Sequence, residues 1–106
     1  MTAHNHPAPL GPLANEMGEA FAAFDHAVFN AEGEIPRKYR ELIALGVALT
    51  TQCDACLKGH ARAAVEHGAT EEEIAETTYI TAALRAGGGL VHGMKALSSV
   101  QRTSIG

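Results

Sequence analysis

Apolar side chains recur every three or four residues along most of this chain, which is the spacing of one face of an α-helix. The first such stretch runs over 13–29 and the second from Pro36 to about residue 48 or 49. Proline is favoured at the first helical position because its missing N–H would have no partner there. The polar residues 50–52 then predict a turn. No stretch alternates polar and apolar residues, so the pattern predicts an all-α fold.

The second half of the chain carries clear helix start and stop signals. A third helix is expected to begin near residue 53 or 54 and to end at His67, because Gly68 suits a left-handed stop. Thr70 and Glu73 have the spacing of a capping box, in which each side chain bonds the backbone N–H of the other residue. A fourth helix is therefore predicted to start there.

The glycine triplet 87–89 is expected to interrupt the fourth helix, because glycine weakens a helix interior. Beyond the triplet, a short fifth helix is predicted, because apolar residues recur at the spacing of one helix face. These residues are Leu90, Val91, Met94 and Leu97. The tail from Ser98 is expected to fray. The pattern thus predicts about five helices, without repeats.

Length and composition indicate one domain over residues 14–106, preceded by an arm over residues 1–13. The arm holds three of the four prolines together with His4 and His6, and is predicted to be flexible or extended. The chain has no Trp, three Phe and two Tyr, so its core consists mostly of small aliphatic side chains. Such a core gains less from burial than an aromatic one, which favours association of subunits.

Charge and hydropathy exclude several classes of function. The net charge of −4 is mild and no basic stripe is present, so a nucleic-acid partner is not expected. No apolar run approaches the ~18 residues that span a bilayer, and the first residues lack the pattern of a secretory signal. Two cysteines three positions apart without an export signal indicate a reducing, cytoplasmic setting and a redox or metal-binding role.

The segment 51–60 carries the chemistry, because it contains Cys53, Cys56 and His60. A thiolate is a far better nucleophile than a thiol, and the start of a helix favours the anion. Residues three apart share a helical face, so the two sulfurs are expected to reach each other as a disulfide. His60 lies on the same face, and an imidazole can accept or relay a proton near neutral pH.

Other interpretations of these residues stay open. Cys53, Cys56 and His60 also have the side chains of three zinc ligands. A structural zinc site usually has four, and only His67 or His92 could supply the fourth. Alternatively, His60 packs within its helix, or the cysteines are inert core residues.

Other polar residues have simpler interpretations. Glu41, in a run with Arg37 and Arg40, is most simply a solvated residue paired with a nearby cation. His26 and His92 are expected at the edge of the core or at an interface. The glycine triplet at the start of the fifth helix is better explained as a helix break than as an anion cradle.

The arrangement of Glu41, Cys53-x-x-Cys56 and His60 resembles the alkylhydroperoxidase D-like branch of the carboxymuconolactone decarboxylase family. The resemblance covers roughly residues 16–97. It extends to the flanking segments Pro36–Ile43, His67–Ile74 and Gly87–Leu90, with His92.

The resemblance implies helices built around a helix hairpin, assembly into trimers or hexamers, and reduction of hydroperoxides at the expense of a thiol or dithiol donor. It implies that Cys56 attacks the peroxide, that Cys53 resolves the intermediate, and that His60 and Glu41 relay protons. It implies no cofactor and no metal. The better-studied alkylhydroperoxidase has a histidine immediately before the second cysteine, where this chain has Ala55; the proton network is therefore shorter here.

Helix electrostatics and the resemblance disagree about the nucleophile. The helix terminus favours Cys53, whereas the spacing to His60 favours Cys56, and a base one turn away directs deprotonation at a particular sulfur. Cys56 is therefore the predicted nucleophile. The predicted enzyme is a peroxidase or a disulfide reductase that uses Cys53 and Cys56. A lactone decarboxylase is the competing enzyme class, but that chemistry does not need two cysteines. A non-catalytic zinc-binding or interaction module is the other alternative.

Overall fold

The computed structural model describes the backbone of residues 10–105 and the side chains of residues 10–101. Within these limits every regular element is helical, so the all-α prediction is confirmed. The helices are α1 (Asn15–Asn30), α2 (Arg37–Thr51), α3 (Asp54–Glu66) and α4 (Glu71–Ile105).

The helices α2 and α3 form a helix hairpin, and they make the most extensive contact between any two helices described. Gln52 ends α2 in the left-handed conformation, with φ 57°, and Cys53 caps the start of α3. From α4, Arg85 Nη1 donates a hydrogen bond of 2.8 Å to the carbonyl oxygen of Thr50. This bond satisfies a carbonyl in the last turn of α2, where the helix supplies no partner. The turn before α3 is therefore held by Arg85 at the end of α2 and by the Cys53 cap at the start of α3.

The core is small and lies along the α2–α3 hairpin. Its buried apolar residues are Leu45, Ala48, Ala63, Ala64 and Ala69. Alanine side chains are short, so two helices that pack through alanines lie close together. This explains how long polar side chains from α2 and α3 can meet between the two helices. Gly46 brings α4 close to α2 in the same way, because a Cβ there would lie 3.3 Å from Thr81 Oγ1.

The signals that start and stop helices are confirmed around the α3–α4 junction. Gly68 has a positive φ of 100° directly after α3. The Glu73 N–H donates to Thr70 Oγ1 over 3.0 Å, and the Thr70 N–H donates to Glu73 Oε1 over 2.9 Å. These reciprocal bonds form the predicted capping box.

The predicted break at Gly87–Gly89 and the separate fifth helix are wrong. Helix α4 runs without interruption from Glu71 to Ile105, through all three glycines. None of these glycines has a positive φ, which a helix stop would require. Propensity is a weak local preference, and propagation from both sides overrides it here, because each added residue gains a backbone hydrogen bond.

Helix α1 lies on the outside and contributes no buried residue. Its apolar face is largely exposed, with Met17, Phe21 and Phe24 each more than half accessible. The predicted N-terminal arm lies for the most part outside the described residues, since only its last four residues, 10–13, are included, in a turn before α1. The single-domain interpretation of residues 14–106 remains a prediction. Over residues 10–105, no helix combines the length and apolar character needed to cross a membrane.

Candidate functional site

Cys53 and Cys56 form a disulfide at the start of α3, with their Cα atoms 5.2 Å apart. Cys53 is the residue that caps the helix, in an extended conformation, and Asp54 begins the helix proper. The Cys56 N–H donates to Cys53 Sγ over 3.3 Å, so this sulfur occupies the place that a serine or aspartate oxygen takes in an ordinary cap. The two predicted thiols are thus brought together within one helical turn.

Glu41 and His60 meet between α2 and α3, although they are 19 residues apart in the chain. His60 Nδ1 lies 2.9 Å from Glu41 Oε1, and both side chains are buried. Beside a carboxylate, Nδ1 is the nitrogen that carries the proton and donates it. Nε2 of the neutral ring is then the acceptor, which is the form a general base requires.

Glu41 is the largest fully buried side chain among the described residues. Its second oxygen, Oε2, accepts a hydrogen bond of 2.8 Å from Arg37 Nε. The expectation of a nearby cation was therefore correct, but the expectation that Glu41 is solvated was wrong. A carboxylate without exposure requires partners for its charge, and here the two oxygens are divided between an arginine and a histidine.

A groove of about 540 Å³ leads to this site between α1 and α2. Cys56 and His60 both line it, whereas Cys53 does not. Phe29 also lines it and stacks on the His60 ring, with 5.1 Å between ring centroids and 29° between planes. The remaining lining residues are Asp25, Val28, Ile35, Arg40, Ile43, Ala44, Val47, Ala48 and Thr51. The groove is thus mainly apolar, with one acidic and one basic side chain.

The four residues singled out in the sequence, Glu41, Cys53, Cys56 and His60, therefore form one cluster. Sequence reasoning missed Arg37 and Phe29 as parts of it. The spacing of Arg37 and Glu41, four residues apart on one helix, was a usable signal for the ion pair. For Phe29 no such signal existed, because an apolar residue on an amphipathic helix is ordinarily only a packing residue.

Of the other histidines within residues 10–101, none lines the groove. His67 Nδ1 is 2.8 Å from the carbonyl oxygen of Ala63 at the end of α3, and His26 and His92 are exposed. Across residues 10–101, no three His, Cys, Asp or Glu side chains are grouped so that they would hold a metal ion.

Known proteins share the family pattern and the helical fold of this chain. The model of the carboxymuconolactone decarboxylase family matches residues 15–99. A crystal structure of a protein from Methanobacterium thermoautotrophicum superposes with a TM-score of 0.70 at 35% sequence identity, covering 76% of this chain and 89% of that chain.

Two relatives match over most of their length, and their names state no activity. Uncharacterized protein 4 in the cox locus of Paracoccus denitrificans is 41% identical over 80 residues, which are 76% of this chain and 71% of the relative. An uncharacterized protein of Cupriavidus necator is 33% identical over 91 residues, covering 84% of this chain and 80% of the relative.

Proposed function

Since the chain belongs to the carboxymuconolactone decarboxylase family, of which the alkylhydroperoxidase D-like proteins are a branch, we propose that it is a thiol-dependent redox enzyme that reduces hydroperoxides through Cys53 and Cys56. One observation carries the proposal. Cys56, half of a disulfide at a helix start, opens into the same groove as a histidine that is bonded to a buried carboxylate. A nucleophile, a base and a group that orients the base form the arrangement of an activated thiol.

The reaction begins with the reduced pair. His60 Nε2 takes the proton of the Cys56 thiol, and the thiolate attacks the terminal oxygen of the hydroperoxide. The O–O bond breaks, Cys56 becomes a sulfenic acid, and the proton from His60 goes to the departing alkoxide, which leaves as an alcohol. The substrate is thereby reduced by two electrons that come from the sulfur.

Cys53 then resolves the intermediate. Its thiolate attacks the Cys56 sulfur, the S–O bond breaks, and hydroxide leaves as water after gaining the proton that Cys53 lost. The product is the Cys53–Cys56 disulfide. An external thiol or dithiol donor supplies two electrons and two protons to restore both thiols, so the cycle balances as one hydroperoxide and one dithiol to alcohol, water and disulfide.

The groove supports Cys56 as the attacking sulfur. Cys56 lines the groove and Cys53 does not, so a substrate in the groove meets Cys56 first. Against this assignment, the Cys56 N–H points at Cys53 Sγ, and an N–H bond of that kind favours the Cys53 thiolate. We assign the attack to Cys56 because access to the substrate is a requirement, whereas a more acidic resolving thiol is compatible with the cycle.

Thiol titration tests the proposal directly. The reduced protein is treated with one equivalent of an organic hydroperoxide and its free thiols are counted. We expect two thiols to fall to none, one alcohol to appear, and no covalent dimer to form on non-reducing gels. Unchanged thiols would overturn the peroxidase proposal, and oxidation by a small disulfide instead would point to a disulfide reductase.

Two parallel assays address the alternatives. Turnover of a carboxymuconolactone by the double variant Cys53→Ser, Cys56→Ser would indicate the decarboxylase chemistry that the family name describes. Stoichiometric zinc retained by the reduced protein would indicate a metal-binding module.

The proposed enzyme is a homo-oligomer in which α4 supplies an interface. Seven side chains of α4, each more than half exposed, fall within an arc of about 140° at 100° per residue and extend for about 27 Å along the axis. They are Tyr79, Ile80, Leu84, Leu90, Val91, Met94 and Leu97. A monomer rarely exposes an apolar stripe of this size, and we assign a second copy of this chain as its partner.

A further inference from the structure

We propose that Arg37 is a positioning residue for the thiol chemistry, which compensates the charge of the buried Glu41 carboxylate and aims it at His60. The inference rests on the proposed function, because it concerns the same Cys56 thiol. Arg37 does not line the groove, and its effect on a substrate passes through Glu41 and His60. It deepens the proposal by identifying what sets the charge of the relay.

Glu41 is fully buried, so its negative charge needs a partner within the protein. Arg37 Nε, 2.8 Å from Glu41 Oε2, is that partner, because a guanidinium stays charged at any physiological pH. Loss of this cation would remove the bond that holds Oε2 and would leave the buried carboxylate free to turn away from His60.

The Arg37 guanidinium is held in a fixed orientation by two side-chain contacts. Arg37 Nη1 donates to Asn30 Oδ1 over 2.9 Å at the end of α1, and Arg37 Nε donates to Glu41. Arg37 Nη2 is buried without a hydrogen-bond partner among the described atoms. A buried donor without a partner costs free energy, so an arginine that could rotate freely would turn to pair it. The Arg37 guanidinium is therefore held in place by its other hydrogen bonds. Asn30 and Glu41 are those bonds.

The Arg37 contact sets the direction of the Glu41 carboxylate. With Oε2 occupied by Arg37, Oε1 is left for His60 Nδ1 at 2.9 Å. The Nδ1–H bond fixes the ring tautomer, and Phe29 stacks against the ring where His60 lines the groove. A chain of contacts therefore runs from Asn30 through Arg37 and Glu41 to His60.

Other charges near the groove must be separated from this effect. Asp25 of α1 and Arg40 of α2 line the groove together with Cys56 and His60. Arg40 bonds two backbone carbonyls, donating from Nε to Ile35 and from Nη1 to Val28. It holds the α1–α2 connection, and because it also lines the groove it is not used as a control. Exposed Arg62 on α3 is the control for the loss of one positive charge.

The experiment measures the rate of Cys56 alkylation against pH in the Cys53→Ser background, with the full chain reduced. We expect Arg37→Met to slow alkylation at pH 7 about tenfold, which corresponds to a displacement of the profile by about one pH unit. Arg37→Lys keeps a cation and is expected to restore part of the rate. Asn30→Ala is expected to slow the reaction less, in the same direction. Arg62→Met is expected to leave the profile in place.

The outcomes distinguish the inference from the proposed function. If His60→Ala displaces the profile but Arg37→Met does not, the relay exists and the role of Arg37 is wrong. If Arg62→Met displaces the profile as much as Arg37→Met, the effect comes from net charge and the inference is also wrong. If neither His60→Ala nor Arg37→Met changes the profile while hydroperoxide still oxidises both thiols, the relay fails but the redox function stands. If circular dichroism shows that Arg37→Met is misfolded, Arg37→Gln decides between the same outcomes, and an unchanged profile in Arg37→Gln overturns the inference.

Discussion

His60 Nδ1 lies 2.9 Å from Glu41 Oε1, in a bond that joins the third helix to the second across the core of the protein. The bond is buried, and its two residues belong to the two helices of the hairpin. It makes the histidine and the glutamate a single unit, from which the first prediction follows.

In the Cys53→Ser background, His60→Ala is expected to slow alkylation of Cys56 near neutral pH, by about tenfold if the thiolate forms one pH unit higher. Glu41→Gln should slow it in the same direction, because the amide cannot support a charged imidazole. In the double variant, the decrease in the logarithm of the alkylation rate should be smaller than the sum of the decreases in the two single variants. Groups that act as one relay do not have additive effects. If Cys56 reacts unchanged without His60, helix electrostatics govern the site instead.

Cys53→Ser should retain a reactive thiol but lose the disulfide. After one equivalent of hydroperoxide, Cys56 should stop at the sulfenic acid, which a dimedone-type reagent traps and mass spectrometry detects. Cys56→Ser, its matched partner, should give no such adduct, because Cys53 does not line the groove. A sulfenic acid on Cys53 in that variant would reverse the assignment of the two sulfurs.

Glycine in the middle of α4 offers a test of helix continuity. Gly89→Ala is expected to raise the free energy of unfolding by about 0.5–1 kcal/mol, because alanine favours the helix and the new Cβ meets nothing within 4 Å. Gly68→Ala should lower it by about 1 kcal/mol, since φ there is positive. Urea unfolding of both variants makes the comparison. A loss of stability in Gly89→Ala would mean that α4 breaks at the glycines.

Association through α4 should be visible by light scattering at micromolar concentration, as a mass that is a multiple of one chain. Met94→Glu places a charge near the middle of the apolar arc, in the C-terminal part of the stripe, and should lower that mass. Ala96→Glu adds the same charge about 160° away around the helix and should leave the mass unchanged. A wild-type monomer, or an equal effect of the two variants, would contradict the proposed interface.

The contact between α2 and the start of α4 should make stability depend on pH. Bonds from the Thr70 N–H and from Lys38 Nζ hold the pKa of Glu73 below its ordinary value of 4.5. The unfolded chain therefore binds this proton at a higher pH than the folded chain. The contribution of Glu73 is complete above about pH 4.5 and is lost as the pH falls through the lower folded pKa.

Glu73→Gln is accordingly expected to flatten the decline of the urea midpoint on the acid side. Exposed Glu72→Gln, one residue earlier in the same turn, is the matched control and should keep the decline. An identical decline in the Glu73 variant would show that this carboxylate does not stabilise the fold.

Local signals predicted the helix boundaries where a particular side chain or φ value decides them. Gly68 and the Thr70–Glu73 box act within a few residues, so their effect is readable in order along the chain. The glycine triplet 87–89 gave a wrong helix boundary for the same reason. Glycine disfavours a helix only locally, whereas the continuation of a helix also depends on the residues on both sides.

The sequence by itself predicted the helical class and the proximity of Cys53 and Cys56, because residues three apart at the start of a helix lie on one face. The turn expected at 50–52 follows only after Thr51, where α2 ends. The position of His60 relative to Cys56 follows from their spacing of four residues in α3, and the pairing of Arg37 with Glu41 follows from the same spacing in α2. Only the tertiary structure decided the burial of Glu41, its contact with His60 and the stacking of Phe29 on His60. Those contacts cross between helices, and their formation depends on how closely the alanine-lined surfaces approach. That distance is a property of packing, which no spacing along one helix encodes.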